Sequence, residues 1–278
     1  SYNSSFRPNT LPGSPWSSLV GNPGRLINLS ILTELAAGDT FTMGFVVGGA
    51  DTSGRKALVA RAAGPSLEQL GVTDAHSDPK LELFAGSTKL SQNDNWGGTA
   101  SVSAAFAQVG AFAFVSADSK DAAVFDPNVA PGNNSVIVSG INNASGTVIA
   151  ELYDATPAAT VGSATARLVN VSVLKTLGSG LTAGFVIGGG SAKNVLIRAI
   201  GPTLESDFGV SGADEDPKLT LFGADSVKLS DNNDWGGKAA LKAAFNRVGA
   251  FALPDGSRDA ALLAPLAPGN YTVQVSGD

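Results

Sequence analysis

The sequence predicts an all-β protein made of two tandem β-sandwich or jelly-roll domains, with one short helix per repeat and an extended N-terminal arm. Three observations carry that expectation. The chain is written twice: RLINLS from Arg25 returns as RLVNVS from Arg167, GFVVGG from Gly44 as GFVIGG from Gly184, and ARAAGPSLEQLGV from Ala60 as IRAIGPTLESDFGV from Ile197. DPKLELF from Asp78, NDNWGG from Asn93, VGAFA from Val109 and VIVSG from Val136 recur in the same order, at offsets of 137 to 142 residues, the scale of a duplicated domain and not of a solenoid repeat. The composition, with 34 glycines, 43% hydrophobic residues and only 15% charged residues, suits short strands joined by tight turns. Turn signals fall about 8 to 12 residues apart, the spacing of sandwich strands.

Taken in order, residues 1–24 form the arm. They hold four prolines (Pro8, Pro12, Pro15, Pro23), three aromatics (Tyr2, Phe6, Trp16), a single charge at Arg7, and no sustained periodicity. The first sandwich is expected over 25–154. Strands are read at Leu26 to Leu32, Thr40 to Val47 and Ala57 to Ala62, broken at Gly38, Gly48-Gly49 and Gly54, and the third ends at Gly64-Pro65. A helical turn at Ser66 to Leu70 precedes strands at Lys80 to Phe84 and Thr88 to Ser91, with Ala85-Gly86 as the turn between them. Ser101 to Val109 carries the helical pattern, matched by Ala239 to Val248 in the second copy. Strands then resume at Ala122 to Phe125, Ser135 to Ser139 and Thr147 to Tyr153, with Pro131-Gly132-Asn133 as a turn. A linker over 155–166 leads to the second repeat, 167–278. That copy follows the same order as far as Tyr271 to Ser276 and contains no counterpart of Thr147 to Tyr153, so the second sandwich is expected to be one strand short, with an exposed edge.

The half of each repeat running from DPKLELF through SQNDNWGG to APGNNSVIVSG, and its copy DPKLTLF, SDNNDWGG, APGNYTVQVSG, resembles the bacterial pre-peptidase C-terminal domain. Together with the preceding RLxNxS, GFVxGG and RAxGP(S/T)L segments it is similar to tandem repeats of large exported proteins of environmental bacteria. The resemblance implies a secreted jelly roll with a non-catalytic accessory or surface role. Export is also the expectation for a chain whose first residue is Ser1 and not Met, which fits a processed amino terminus, as it equally fits a trimmed one.

Composition excludes several functions. Net charge is −6 with no basic cluster, which disfavours nucleic acid and anionic membrane as partners, and no apolar run approaches the roughly 20 residues of a bilayer span. The absence of Cys excludes disulfides, thiolate metal sites and Cys nucleophiles, and the single His, His76, has no counterpart in the second copy, which argues against a His-based triad. Gly49-Ala-Asp-Thr-Ser-Gly54-Arg-Lys56 has the glycines of a phosphate loop, but no Ser or Thr follows the Lys and a strand follows it where a helix would be needed. The protein is read as a non-enzyme with no required cofactor.

Ca²⁺ is the one ion the pattern would accommodate. Asp94, with Asn93 and Asn95, and Asp231 and Asp234, with Asn232 and Asn233, are oxygen-rich turns beside a Trp, and Asp78 or Asp121 (Asp216 in the second copy, with Asp259) would add ligands. The alternative is Asx-turns that satisfy the backbone internally. Arg61 and Arg198 lie in apolar strands at matching positions and require partners if covered, with Asp78 and Asp216 as the expected ones. Trp96 and Trp235 read as core plugs, with stacking on a surface glycan as the alternative.

The two ends look complementary. The arm precedes Arg25 as the last strand of the first repeat and the linker precede Arg167, with the missing strand matched near Ser4 to Leu11. The expectation is a secreted or cell-surface filament in which the arm of one subunit adds a strand to the open second sandwich of the next. Tyr2, Phe6, Leu11 and Trp16 on the arm and Tyr271, Val273 and Val275 on the acceptor are the expected interface. Pro8 restricts that segment to an edge position. The competing expectation is a monomeric ligand-binding or adhesive module, cut from a larger exported protein, that recognises a glycan or host surface.

Overall fold

The computed structural model describes residues 22–177 and 180–277. Tyr2, Phe6, Leu11 and Trp16 lie outside the described residues. The fold is all-β. In the first repeat the strands are β1 (Arg25–Leu35), β2 (Thr40–Gly48), β3 (Lys56–Ala63), β4 (Pro79–Ala85), β5 (Thr88–Asn93), β6 (Ala122–Val129), β7 (Gly132–Gly140) and β8 (Gly146–Asp154), with helix α1 (Ala100–Val109) between β5 and β6. The second repeat gives β9 (Arg167–Leu174), β10 (Leu181–Gly188), β11 (Lys193–Ala199), β12 (Pro217–Phe222), β13 (Lys228–Asn232), β14 (Ala260–Leu266) and β15 (Gly269–Gly277), with α2 (Pro202–Phe208) and α3 (Ala239–Val248). The α2 segment corresponds to a 3-10 turn, Pro65–Leu70, in the first repeat.

Side-chain alternation explains β2, where Phe41, Met43, Phe45 and Val47 point into the core. By contrast β3 reads as a continuous apolar run because both its edges are paired, to β6 and β8, and both its faces are covered. Leu58, Ala60 and Ala62 join the main core with Val148, Ala150 and Leu152 of β8. On the opposite face Val59 packs with Ile149, Tyr153 and the buried side of α1, Phe106 and Val109. The RAxGP(S/T)L motif is held by a buried carboxylate. Asp121 accepts from the Gly64 and Ser66 amides and the Ser66 and Ser119 hydroxyls, and Asp259 accepts from Gly201, Thr203 and Ser257 in the same way. The glycine is required there by close approach: a Cβ on Gly64 would stand 2.1 Å from the His76 carbonyl oxygen, and one on Gly201 1.9 Å from that of Asp214.

The repeats exchange their first strands. β1 pairs with β10 of the second repeat, Arg25 opposite Gly188 through Leu32 opposite Thr182, while β9 pairs with β2 of the first, Thr42 opposite Leu174 through Gly48 opposite Arg167. One sheet therefore runs β13-β12-β15-β10-β1-β9-β2-β7-β4-β5, with β1 and β9 touching only at Leu26 and Leu168. The duplication divides the sequence, but not the sheet. Leu26 and Leu29 pack against the cores of both repeats.

β8 then bridges β1 to β3, Ser30 opposite Glu151 on one edge and Arg61 opposite Glu151 on the other, and so closes the first repeat. In the second repeat β11 pairs with β14 alone, in a separate two-stranded sheet, and β9 has only β2 beyond its single contact with β1. Among the described residues no strand takes the place of β8 there. Tyr271, Val273 and Val275 are not at that opening: β15 is flanked by β10 and β12, so Val273 faces Ala183 and Leu221, and Val275 faces Leu181 and Leu219. The expected acceptor residues on β15 are corrected to the facing edges of β9 and β11, because the exchange of first strands places β15 inside the sheet.

Candidate functional site

The candidate site is the slot between β9 and β11. Its apolar lining is less covered than in the first repeat. Val169 is 45% exposed where its counterpart Ile27 is 3% exposed, and Leu174 is 59% exposed. Val195, Leu196 and Ile197 are half-buried, where Leu58, Val59 and Ala60 are buried.

What the slot is built to receive can be read from the filled copy. There β8 brings two carboxylates, three residues apart, onto three cations. Glu151 lies 3.5 Å from the Arg61 Nε, and accepts from the Tyr153 hydroxyl at 2.7 Å and the Ser30 hydroxyl at 3.2 Å. Phe106, Phe112 and Phe114 surround the Arg61 guanidinium with centroids 4.2 to 4.3 Å away. Burial, then the Glu151 charge, push the Tyr153 phenol well above its ordinary pKa, which keeps it a donor. Asp154 accepts from the Lys56 Nζ at 2.7 Å and the Arg25 Nε at 3.2 Å, all three side chains being buried. Burial lowers the Lys56 pKa despite that partner.

The second repeat keeps the cations. Arg198 corresponds to Arg61, and Lys193 and Arg167 to Lys56 and Arg25. No described ion pair includes any of them. Arg198 stacks on Phe245 and Phe251, 4.7 and 4.2 Å to the centroids, and gives Nη1 to the Phe251 carbonyl; its Nε and Nη2 are buried with no hydrogen-bond acceptor, as are all three nitrogens of Arg61, so the two arginines differ in the Glu151 charge and not in their hydrogen bonds. Burial lowers the Arg198 pKa, with Asp259 opposing, and Lys193 is lowered by burial and then by Arg167.

The other sequence candidates fall elsewhere. Asp78 and Asp216 are not the partners of Arg61 and Arg198: they pair with Lys120 at 2.6 Å and Arg258 at 3.3 Å, while Arg61 is served by Glu151 of β8. Nor are the six acids proposed for Ca²⁺ brought together. Asp121 is consumed by the Gly64 turn, Asp231 pairs with Lys228 at 3.1 Å, and Asp94 and Asp234 are exposed. Among the described residues no group of three His, Asp or Glu side chains is arranged to hold a metal. The neighbouring asparagines act as pins, Asn93 accepting from the Ala123 amide at 2.9 Å and Asn232 from the Ala261 amide at 2.8 Å. Trp235 is fully buried against Phe245 and offers no free ring face to a sugar, and Trp96 stacks on Phe106. Lys56, the Lys of the phosphate-loop-like segment, is committed to Asp154. No helix among the described residues is long and apolar enough to cross a membrane.

Sequence reasoning expected an open edge in the second repeat but placed its acceptor residues on β15, which is paired on both sides, and it missed Glu151 and Asp154. The signal was present as ELYD at the end of β8, which has no counterpart among the described residues. Neither a protein family nor a curated protein matches this chain.

Proposed function

We propose that this protein is a structural subunit of an extracellular filament or surface fibre, joined head to tail by a β-strand that a neighbouring polypeptide inserts between β9 and β11. The observation that carries the reading is that, among the described residues, no strand takes the β8 position of the second repeat or pairs with the edges of β9 and β11 that face it, and that Val169 and Leu174 are exposed. Strand addition would satisfy the backbone groups along both edges and cover the apolar strip in one step. A contact of this kind joins different surfaces on the two partners and propagates unless its rotation closes a ring. In the homopolymeric form the strand comes from the arm of the next copy, whose 24 residues reach about 80 Å when extended at about 3.3 Å each. Support for an extracellular, non-catalytic setting is the likeness to exported repeats.

Deletion of residues 1–20 tests the homopolymer. Full-length protein at micromolar concentration should sediment as polymer and show fibres in electron micrographs, and the truncated protein should sediment as monomer. Fibres persisting after the deletion would rule out the arm as donor. A full-length protein that stays monomeric would instead favour the adhesive module.

A further inference from the structure

We infer that the slot of the second repeat is selective for an acidic strand, one that presents two carboxylates three residues apart in the pattern Glu-x-x-Asp. This rests on the strand-acceptor reading and specifies the chemistry of the occupant.

The argument is one of charge complementarity between two copies of the same construction. In the first repeat, Arg61, Lys56 and Arg25 are compensated by Glu151 and Asp154, and both acids arrive on β8. In the second, Arg198, Lys193 and Arg167 have kept their places while the acids have no counterpart among the described residues. A strand entering with the register of β8 would set its first carboxylate opposite Arg198, as Glu151 stands opposite Arg61, and its second opposite Val195, as Asp154 stands opposite Leu58. Ser172, the counterpart of Ser30, would stand opposite that first carboxylate on the β9 side. The Arg198 Nε and Nη2 are already closed to water, and a neutral strand would cover the rest of the half-buried guanidinium without bringing the close carboxylate that Arg61 has in Glu151, and a buried charge without a close partner is destabilising. The acid-free arm, with Arg7 as its only charge over residues 1–21, is such a strand and would add a fourth cation. The arm therefore offers the slot backbone pairing and apolar cover but no carboxylate, and an acidic strand of the β8 type is expected to bind more tightly than the arm peptide.

The test uses the full chain and three labelled synthetic peptides: residues 144–157 (ASGTVIAELYDATP), the same peptide with Glu151→Gln and Asp154→Asn, and residues 1–21. Affinity is read by fluorescence anisotropy, and location by amide hydrogen exchange of β9 and β11. The acidic peptide should bind, protect amides in 169–174 and 195–199, and lose affinity with added salt; the neutral peptide should bind at least about tenfold more weakly. In protein carrying Arg198→Met the gap between the two peptides should narrow, Lys193 and Arg167 remaining for the second acid, and because the peptide substitutions leave the protein untouched, a variant that fails to fold does not remove the comparison. Equal binding of acidic and neutral peptides overturns the charge selectivity and leaves strand addition standing. Tighter binding by the arm peptide does the same. If no peptide protects β9 or β11, the strand-acceptor reading falls as well.

Discussion

Replacing Glu151 by Gln isolates the charge at the centre of the filled copy. Gln retains an oxygen for the Tyr153 and Ser30 hydroxyls, so the change removes the counter-charge of Arg61 and little else. Glu151 and Arg61 have side chains 1% and 0% exposed, and the guanidinium lies among three phenylalanine rings, leaving it no route to water. Removing one member of such a pair costs about 3–5 kcal/mol. For a chain of this size that corresponds to a fall in Tm of about 6–20 °C, at about 2–4 °C per kcal/mol. Arg61→Met combined with Glu151→Gln should recover most of the loss, since no buried charge remains. The matched change in the second repeat, Arg198→Met, should cost the isolated protein clearly less than Glu151→Gln costs it, because it removes one hydrogen bond and the stacking on Phe245 and Phe251 but breaks no ion pair among the described residues. Equilibrium urea unfolding followed by tryptophan fluorescence measures all four proteins. A Glu151→Gln protein within about 1 kcal/mol of the parent, or an Arg198→Met loss as large as that of Glu151→Gln, would refute the asymmetry.

Two further expectations concern the frame around the site. His76 is buried, with Nε2 donating to the Ala144 carbonyl and Nδ1 accepting the Asp78 amide, and burial lowers its pKa below 6.5. A depressed His pKa means that the unfolded chain takes up the proton first, so stability is full above about pH 6.5 and declines as the pH falls below it. Urea midpoints between about pH 7.5 and pH 5 should fall for the parent and fall less steeply for His76→Gln; parallel slopes would contradict the assignment. Asp259→Ala removes the acceptor shared by the Gly201 and Thr203 amides and the Thr203 and Ser257 hydroxyls, and should lower stability by about 2–4 kcal/mol in the same assay, with Asp121→Ala losing a comparable amount.

The strands were legible from alternation and turn residues because each repeat prints its pattern twice. The observed β6, for example, outruns the expected one. Asp126-Pro127-Asn128 reads as a turn, yet the strand continues to Val129 through a register shift opposite Lys56 and Leu58, where a bulge accommodates a proline that cannot donate to the ladder. Strand exchange was illegible for the opposite reason. GFVVGG and GFVIGG are so alike that matching motifs does not tell whether RLINLS pairs with its own copy or the other; in the structure it pairs with the other, and Leu26 and Leu29 pack against both cores. The buried charge pair was missed because duplication drew attention to Asp78 and Asp216, which recur, whereas Glu151 stands ninety positions from Arg61 on a strand that does not.

Amide hydrogen exchange, compared between β3 and β11 in the isolated and assembled protein, tests the central claim most directly. β3, paired on both edges, should exchange slowly throughout, while in β11 the amides facing away from β14 should exchange fast in the monomer and become protected on assembly. Protection of Val195 to Ala199 equal to that of Leu58 to Ala62 in the monomer, unchanged on assembly, would contradict an open strand-accepting slot.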